Sequence, residues 1–191
     1  MNDLAFYFRE GWHHIVSTDA LDHQLFILAL CAVYLLKDWR QLLILVTAFT
    51  IGHSLTLALS VYDIIRINDK WVEFLIPCTI IITAAFNFFQ KDFHGKKLRL
   101  NYFFALFFGL IHGLGFANTI RFMLAKDQAI GWGLFGFNVG LEAGQLLAVT
   151  IILSCSYLVV NLAGLKKIWW IYLLSTVAFI WAVKFAAERI P

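Results

Sequence analysis

The sequence predicts an all-α membrane protein, with about six transmembrane helices in one bundle behind an N-terminal interfacial segment. Of its 191 residues, 61% are hydrophobic and only 14% are charged, and the mean hydropathy is +0.79. A soluble domain carries roughly 25% charged residues. The apolar residues also come in long runs, which favour membrane burial over an enlarged core. These runs predict helices, because they lack the alternation typical of barrel strands and no open sheet satisfies its backbone in lipid.

The individual elements follow from the apolar runs in order. Residues 1–18 mix aromatic with charged side chains, which predicts an amphipathic segment lying on the membrane surface. We expect no polar linker to divide the chain, so residues 1–191 should form a single transmembrane domain. The spans are predicted at about residues 19–36, 42–64, 71–89, 102–122, 132–160 and 168–186.

The distribution of charge sets the expected orientation and excludes one class of partner. A net charge of +3, dispersed along the chain, does not favour nucleic acid binding. Basic loops tend to stay in the cytoplasm, so the odd-numbered loops are predicted there and both termini in the periplasm. The expected location is the bacterial inner membrane, with several crossings. The third loop carries the clearest signal, four basic residues at Lys91, Lys96, Lys97 and Arg99.

Ionisable residues at membrane depth require a functional or structural reason. The segment HHIVSTDALDHQLF, near the first span, contains His13, His14, Asp19, Asp22 and His23. Asp19 and His23 are one helical turn apart and should share a face. Imidazole and carboxylate groups are ordinary ligands of nickel, zinc, cobalt and iron. The alternative is that the acidic residues only cap the helix and complement its dipole.

Two further histidines lie inside predicted spans. His53, next to Ser54, is near the middle of span two, and His112 lies at a similar depth in span four. A lone buried histidine is usually a core residue with one hydrogen bond, but two at similar depth favour a shared site. Asn87 belongs to a polar stripe on span three that either lines a path or binds neighbouring helices.

Span five combines a polar face with a glycine face. Asn138, Glu142 and Gln145 follow the spacing i, i+4, i+7 and project from one side. A carboxylate at this depth is a metal ligand, a proton carrier or a neutral hydrogen-bonding acid. The opposite side predicts close helix packing, within one chain or between copies in a homo-oligomer, through Gly136, Gly140 and Gly144.

Four sequence blocks follow each other on successive predicted helices: GWHHIVSTDALDHQLF, FTIGHSLTL, GLIHGLGFA and FNVGLEAGQ. In this order they resemble a divergent branch of the HupE/UreJ family. Members of that family are small bacterial membrane proteins described as nickel permeases or as accessory proteins of hydrogenase and urease. The resemblance implies handling of a metal ion as substrate.

We therefore expect a divalent-metal transporter rather than an enzyme, with nickel, zinc, cobalt or iron as its ion. The ion is expected to meet His14, Asp22 and His23 at the outer mouth. It would then pass to an intramembrane site formed by His53, His112 and Glu142. The residues expected to support this site or line the path are His13, Asp19, Ser54, Asn87, Asn138 and Gln145.

Two alternatives remain open at this point. One is an intramembrane zinc hydrolase acting on a lipid-like substrate, with His53, His112, Asp22 and His23 around the metal. The other is a haem protein with His53 and His112 as axial ligands. The sequence contains no Walker loop, nucleophile elbow or HExxH pattern, so a primary pump or a soluble hydrolase is not favoured.

Overall fold

The computed structural model describes residues 2–89, 98–124 and 130–191, and every regular element in these ranges is helical. Lys91, Lys96 and Lys97 of the predicted cytoplasmic loop, and the side chains of Asp19 and Arg99, lie outside the described part. Short 3-10 turns precede α2 and α3, and α7 continues into a π-helical turn, Tyr157–Leu162. The α-helices are α1 Asn2–Val16, α2 Leu21–Cys31, α3 Trp39–Val61, α4 Asp69–Phe89, α5 Leu98–Gly115, α6 Ala117–Leu124, α7 Ile130–Ser156 and α8 Lys167–Glu188.

The helices confirm a polytopic membrane architecture, with one difference in the spans. Among the described residues, α3, α4, α7 and α8 are long and apolar enough to cross a membrane. The pair α5–α6, bent by 52° at Phe116, is a fifth candidate. The predicted first span, 19–36, instead contains the 11-residue helix α2. At a rise of about 1.5 Å per residue, α2 covers roughly half of a 30 Å hydrocarbon core.

Three closely packed helix pairs form the bundle, namely α3 with α5, α1 with α7, and α4 with α8. In the first pair the backbones touch at glycine, since a Cβ atom on Gly109 would lie 2.1 Å from the Phe49 carbonyl oxygen. A Cβ atom on Gly113 would lie 2.2 Å from the carbonyl oxygen of His53. Small residues therefore bring His53 and His112 onto adjacent, parallel helices.

The segment that we expected at the membrane surface is a helix packed along α7. A Cβ atom on Gly140 would lie 2.0 Å from the Phe8 carbonyl oxygen, and one on Gly11 would lie 1.9 Å from that of Phe137. The glycine face of α7 thus contacts α1 of the same chain. Because of this contact, α1 forms part of the bundle.

The direction of each helix defines two faces of the bundle. Leu4 contacts Gly136 and Ile15 contacts Gly144, so α1 runs parallel to α7. The residues Thr18–Ala20 then form a short turn, after which α2 runs beside α4. We call the end where α1 begins and α8 ends the terminal face. The opposite end, where α3, α5 and α8 begin, is the loop face.

Candidate metal centre

Three histidines from three different helices meet inside the bundle. His14 lies near the end of α1, His23 in the first turn of α2, and His53 in α3. One imidazole nitrogen from each lies within 4.8 Å of the others, and no second group of this kind occurs within residues 2–89, 98–124 and 130–191. The ring centroids of His14 and His23 are 4.8 Å apart, and those of His23 and His53 are 5.6 Å apart.

The nitrogens of this cluster are buried without a hydrogen-bond partner in the described part of the chain. They are Nε2 of His14, Nε2 of His23, and both Nδ1 and Nε2 of His53. Buried polar atoms in proteins are nearly always paired, because an unpaired one loses its interaction with water. Unpaired buried nitrogens on three adjoining rings make this cluster a candidate binding site.

His112 adjoins the cluster and is oriented by a threonine. Its ring centroid lies 4.9 Å from that of His23, and its Nε2 lies 3.0 Å from Oγ1 of Thr79. The Thr79 hydroxyl donates its only hydrogen to the carbonyl oxygen of Ile76 at 2.7 Å. Oγ1 must then accept from Nε2–H of His112, which leaves Nδ1 of that ring unprotonated. This buried Nδ1 has no hydrogen-bond partner among the described residues, so its lone pair is available to an ion.

The turn between α1 and α2 brings His14 and His23 together. Nε2 of Gln24 donates to the carbonyl oxygens of Ile15 and Ser17, each at 2.9 Å. The Ile15 carbonyl lies in the last turn of α1, where backbone acceptors have no partner within the helix, and Ser17 directly follows that helix. Gln24 therefore closes the end of α1 and fixes the start of α2 beside it.

A polar cavity of ≈ 280 Å³ lies on the terminal-face side of the cluster and is lined by His14 and His23. Asp22, in its wall, accepts a hydrogen bond of 2.8 Å from Nη1 of Arg189 at the end of α8. Acidic groups beside imidazoles attract cations and orient them towards the histidines. The polar side chains in the lining are those of His14, Asp22, His23, Glu73, His112 and Arg189.

The family model for HupE / UreJ protein matches residues 1–189, the whole chain except its last two residues. The chain belongs to the HupE/UreJ family. Neither a curated protein nor a solved structure matches it. The family is associated with nickel or other metal transport, or with accessory functions. A histidine cluster inside an apolar helical bundle agrees with that association.

Glu142 of this HupE/UreJ chain lies apart from the histidines. It accepts a hydrogen bond of 2.9 Å from Oγ1 of Thr47, which joins α7 to α3. Thr47 precedes His53 by six residues, or about 9 Å along the helix axis. Gln145 makes a similar contact one turn further on, accepting from Oγ1 of Thr50 at 2.8 Å. The polar face of α7 therefore binds α3 rather than completing the histidine cluster.

The other residues expected near the ion occupy different positions. Nδ2 of Asn87 donates to the carbonyl oxygen of Ala29 at 2.8 Å and to Oγ of Ser175 at 3.0 Å, so it links α4 to α2 and α8. Asn138 donates to the carbonyl oxygen of Leu134, within its own helix, at 2.9 Å. His13 is exposed, and Ser54 is half-buried beside His53.

Several residues of the centre were missed by the sequence interpretation. Thr79, which orients His112, belongs to the polar stripe of span three, and that stripe was the available signal. Gln24 and Arg189 gave no signal, because their partners are a helix end and an aspartate far away in the sequence. Glu73 lines the cavity without a periodic pattern that would single it out.

Proposed function

We propose that this HupE/UreJ chain is a permease for a divalent transition-metal ion, which it binds at an intramembrane histidine centre. The observation that carries the proposal is the convergence of His14, His23 and His53, whose facing nitrogens are buried and unpartnered. Neutral imidazole suits nickel, zinc, cobalt and ferrous iron, and geometry rather than affinity selects among them. The ion is the transported substrate.

The order of groups along the cavity favours passage rather than storage. Asp22 and Glu73 line the cavity with the histidines, and Arg189 pairs with Asp22, so the negative charge that remains to attract a hydrated cation is that of Glu73. The centre itself consists of imidazoles, which carry no formal negative charge in their ligand form. Conduction requires an ion to bind well enough to enter and weakly enough to leave. An all-imidazole centre reached past acidic groups satisfies both requirements.

The proposed route has one centre where the sequence suggested two separate stations. His14 and His23, which we expected at the mouth, lie against His53, because the turn at Thr18–Ala20 brings the start of α2 beside the end of α1. In the proposal, Asp22 and Glu73 provide the mouth, and His112 is a fourth ligand through Nδ1. We also propose that the protein lies in the bacterial inner membrane, with its terminal face towards the periplasm.

The test compares two adjacent histidines on α1. His14→Ala should abolish or strongly reduce bound metal, measured by elemental analysis after loading with Ni²⁺ or Zn²⁺, and uptake of radioactive Ni²⁺ into proteoliposomes. His13→Ala is the matched control, because His13 is exposed and outside the cluster. Full metal content in the His14→Ala protein would contradict the proposed centre. Tight binding without uptake in the parent would instead favour the zinc hydrolase, and an intense visible absorption band would favour haem.

A further inference from the structure

A second cavity lies between α2, α4 and α5, on the loop-face side of the histidine centre. Its volume is ≈ 310 Å³. Near the loop face it contains a hydrogen bond of 3.1 Å from Nδ2 of Asn101 to the hydroxyl of Tyr34. Its remaining polar lining residues, Thr83 and Asn87, lie on α4.

The helix registers place this cavity in line with the histidines. On α5, His112 is followed towards the loop face by Phe108 and then Asn101. On α2, His23 is followed in the same direction by Phe26, and Phe26 and Phe108 both line the cavity. The steps of three, four and seven residues keep each set on one side of its helix. Both helices therefore pass from imidazole through phenylalanine into the second cavity.

Three phenylalanine rings separate the two compartments. Phe26 stacks on Phe49 with ring centroids 4.7 Å apart, and its centroid is 6.0 Å from that of Phe108. The Phe26 ring also lies 5.3 Å from the ring of His112. Phe26 and Phe49 are 1% and 2% exposed, so no opening joins the cavities here. We call Phe26, Phe49 and Phe108 the aromatic partition.

We propose that the second cavity is the release side of the metal route, and that the aromatic partition is the barrier an ion crosses after leaving the histidines. This inference rests on the proposed permease function. Apolar constrictions block ions by excluding water, and displacement of one ring is enough to admit it. The release side offers neutral hydroxyl and amide oxygens, without the imidazoles and carboxylates that line the first cavity. A divalent ion is held less strongly by such groups, which favours its departure.

The first test measures water access to each side of the partition. A cysteine at Thr83 lines the second cavity, whereas one at the neighbouring Ile82 faces away from it and is exposed on the bundle surface. In a membrane, Thr83→Cys should react with an impermeant thiol reagent added at the loop face and not at the terminal face. Ile82→Cys should remain at the labelling level of the parent chain, because lipid covers it. Labelling of Thr83→Cys from the terminal face alone, or from neither face, would overturn the assignment.

The second test alters the partition while retaining the histidines. Phe26→Leu should raise the rate of Ni²⁺ flux in proteoliposomes about tenfold, equivalent to a barrier lower by ~1.4 kcal/mol. Bound Ni²⁺ at equilibrium should remain that of the parent. Phe103→Leu is the control, because Phe103 is exposed on the surface of α5 and lines neither cavity.

The outcomes separate the two proposals. A parent chain that neither binds nor transports metal would contradict the permease function itself. A parent that transports Ni²⁺, with Phe26→Leu and Phe103→Leu both at the parental rate, would contradict only the partition. Phe108→Leu provides the same measurement on a second ring if Phe26→Leu fails to fold.

Discussion

Replacing Gly140 by alanine tests whether the α1–α7 contact positions the metal centre. The new Cβ atom would lie 2.0 Å from the Phe8 carbonyl oxygen, whereas ordinary contact begins at 3.4 Å, so α1 must move away by about 1.4 Å. The obstructing atoms belong to the backbone of Phe8 and Trp12, so no side-chain rotation relieves the clash. Overpacking of this kind typically costs about 1–3 kcal/mol in stability.

The displacement should reach the ion because His14 lies on the same helix, six residues after Phe8. Metal–ligand distances tolerate changes of only about 0.2 Å. We therefore expect Gly140→Ala to weaken Ni²⁺ binding by at least about tenfold, or ~1.4 kcal/mol. Equilibrium dialysis with Ni²⁺ measures the affinity, and thermal unfolding in detergent measures the stability. Gly131→Ala is the control, because the nearest atom to its Cβ would be 4.0 Å away. Parental affinity and stability in Gly140→Ala would refute the reasoning.

Three further substitutions test separate contacts. Thr79→Val removes the hydroxyl that orients His112 while preserving side-chain shape, and should lower Ni²⁺ affinity about 10-fold or more, as loss of a group supporting a metal ligand does. Unchanged affinity in a titration would contradict the orienting role of Thr79. Thr50→Val removes the hydrogen bond to Gln145, and should cost ~0.6–1.7 kcal/mol of unfolding free energy while Ni²⁺ binding stays parental. Arg189→Gln removes the charged, partly buried hydrogen bond to Asp22 at the cavity mouth, and should lower the unfolding free energy by about 1.5 kcal/mol. An unchanged denaturation midpoint would show that this bond does not stabilise the fold.

Composition and hydrophobic runs were sufficient to predict the membrane bundle, since long apolar helices dominate it. The glycine spacing in span five correctly indicated a face for close packing, but its partner could not be read from periodicity. That partner is α1, whose aromatic and charged residues resemble those of a surface segment. A contact between backbones at Gly140 and Phe8 depends on tertiary geometry that a single segment does not encode.

The candidate centre was predictable in its residue types and only partly in its grouping. His53 and His112 were expected at one depth, and they lie on neighbouring helices. His14 and His23 were assigned to the mouth, because an uninterrupted span beginning near residue 19 would hold them away from the membrane interior. The short turn after α1, closed by Gln24, removes that separation. Glu142 was grouped with the histidines by depth alone, and its bond to Thr47 places it elsewhere along α3.

The arrangement of the three helix pairs has a consequence for how a bound metal ion and helix movement would influence each other. His14 belongs to the pair α1–α7 and His53 to the pair α3–α5, while His23 lies on α2, which Asn87 ties to α4 and α8. In the proposed centre, an ion bound to all three rings would connect these helices, and movement of one helix relative to the others would weaken its coordination. By thermodynamic linkage, a change that shifts these helices relative to one another would alter the affinity for the ion, and the bound ion would oppose that shift. Binding and release of the ion would then be coupled to the same relative movement of these helices.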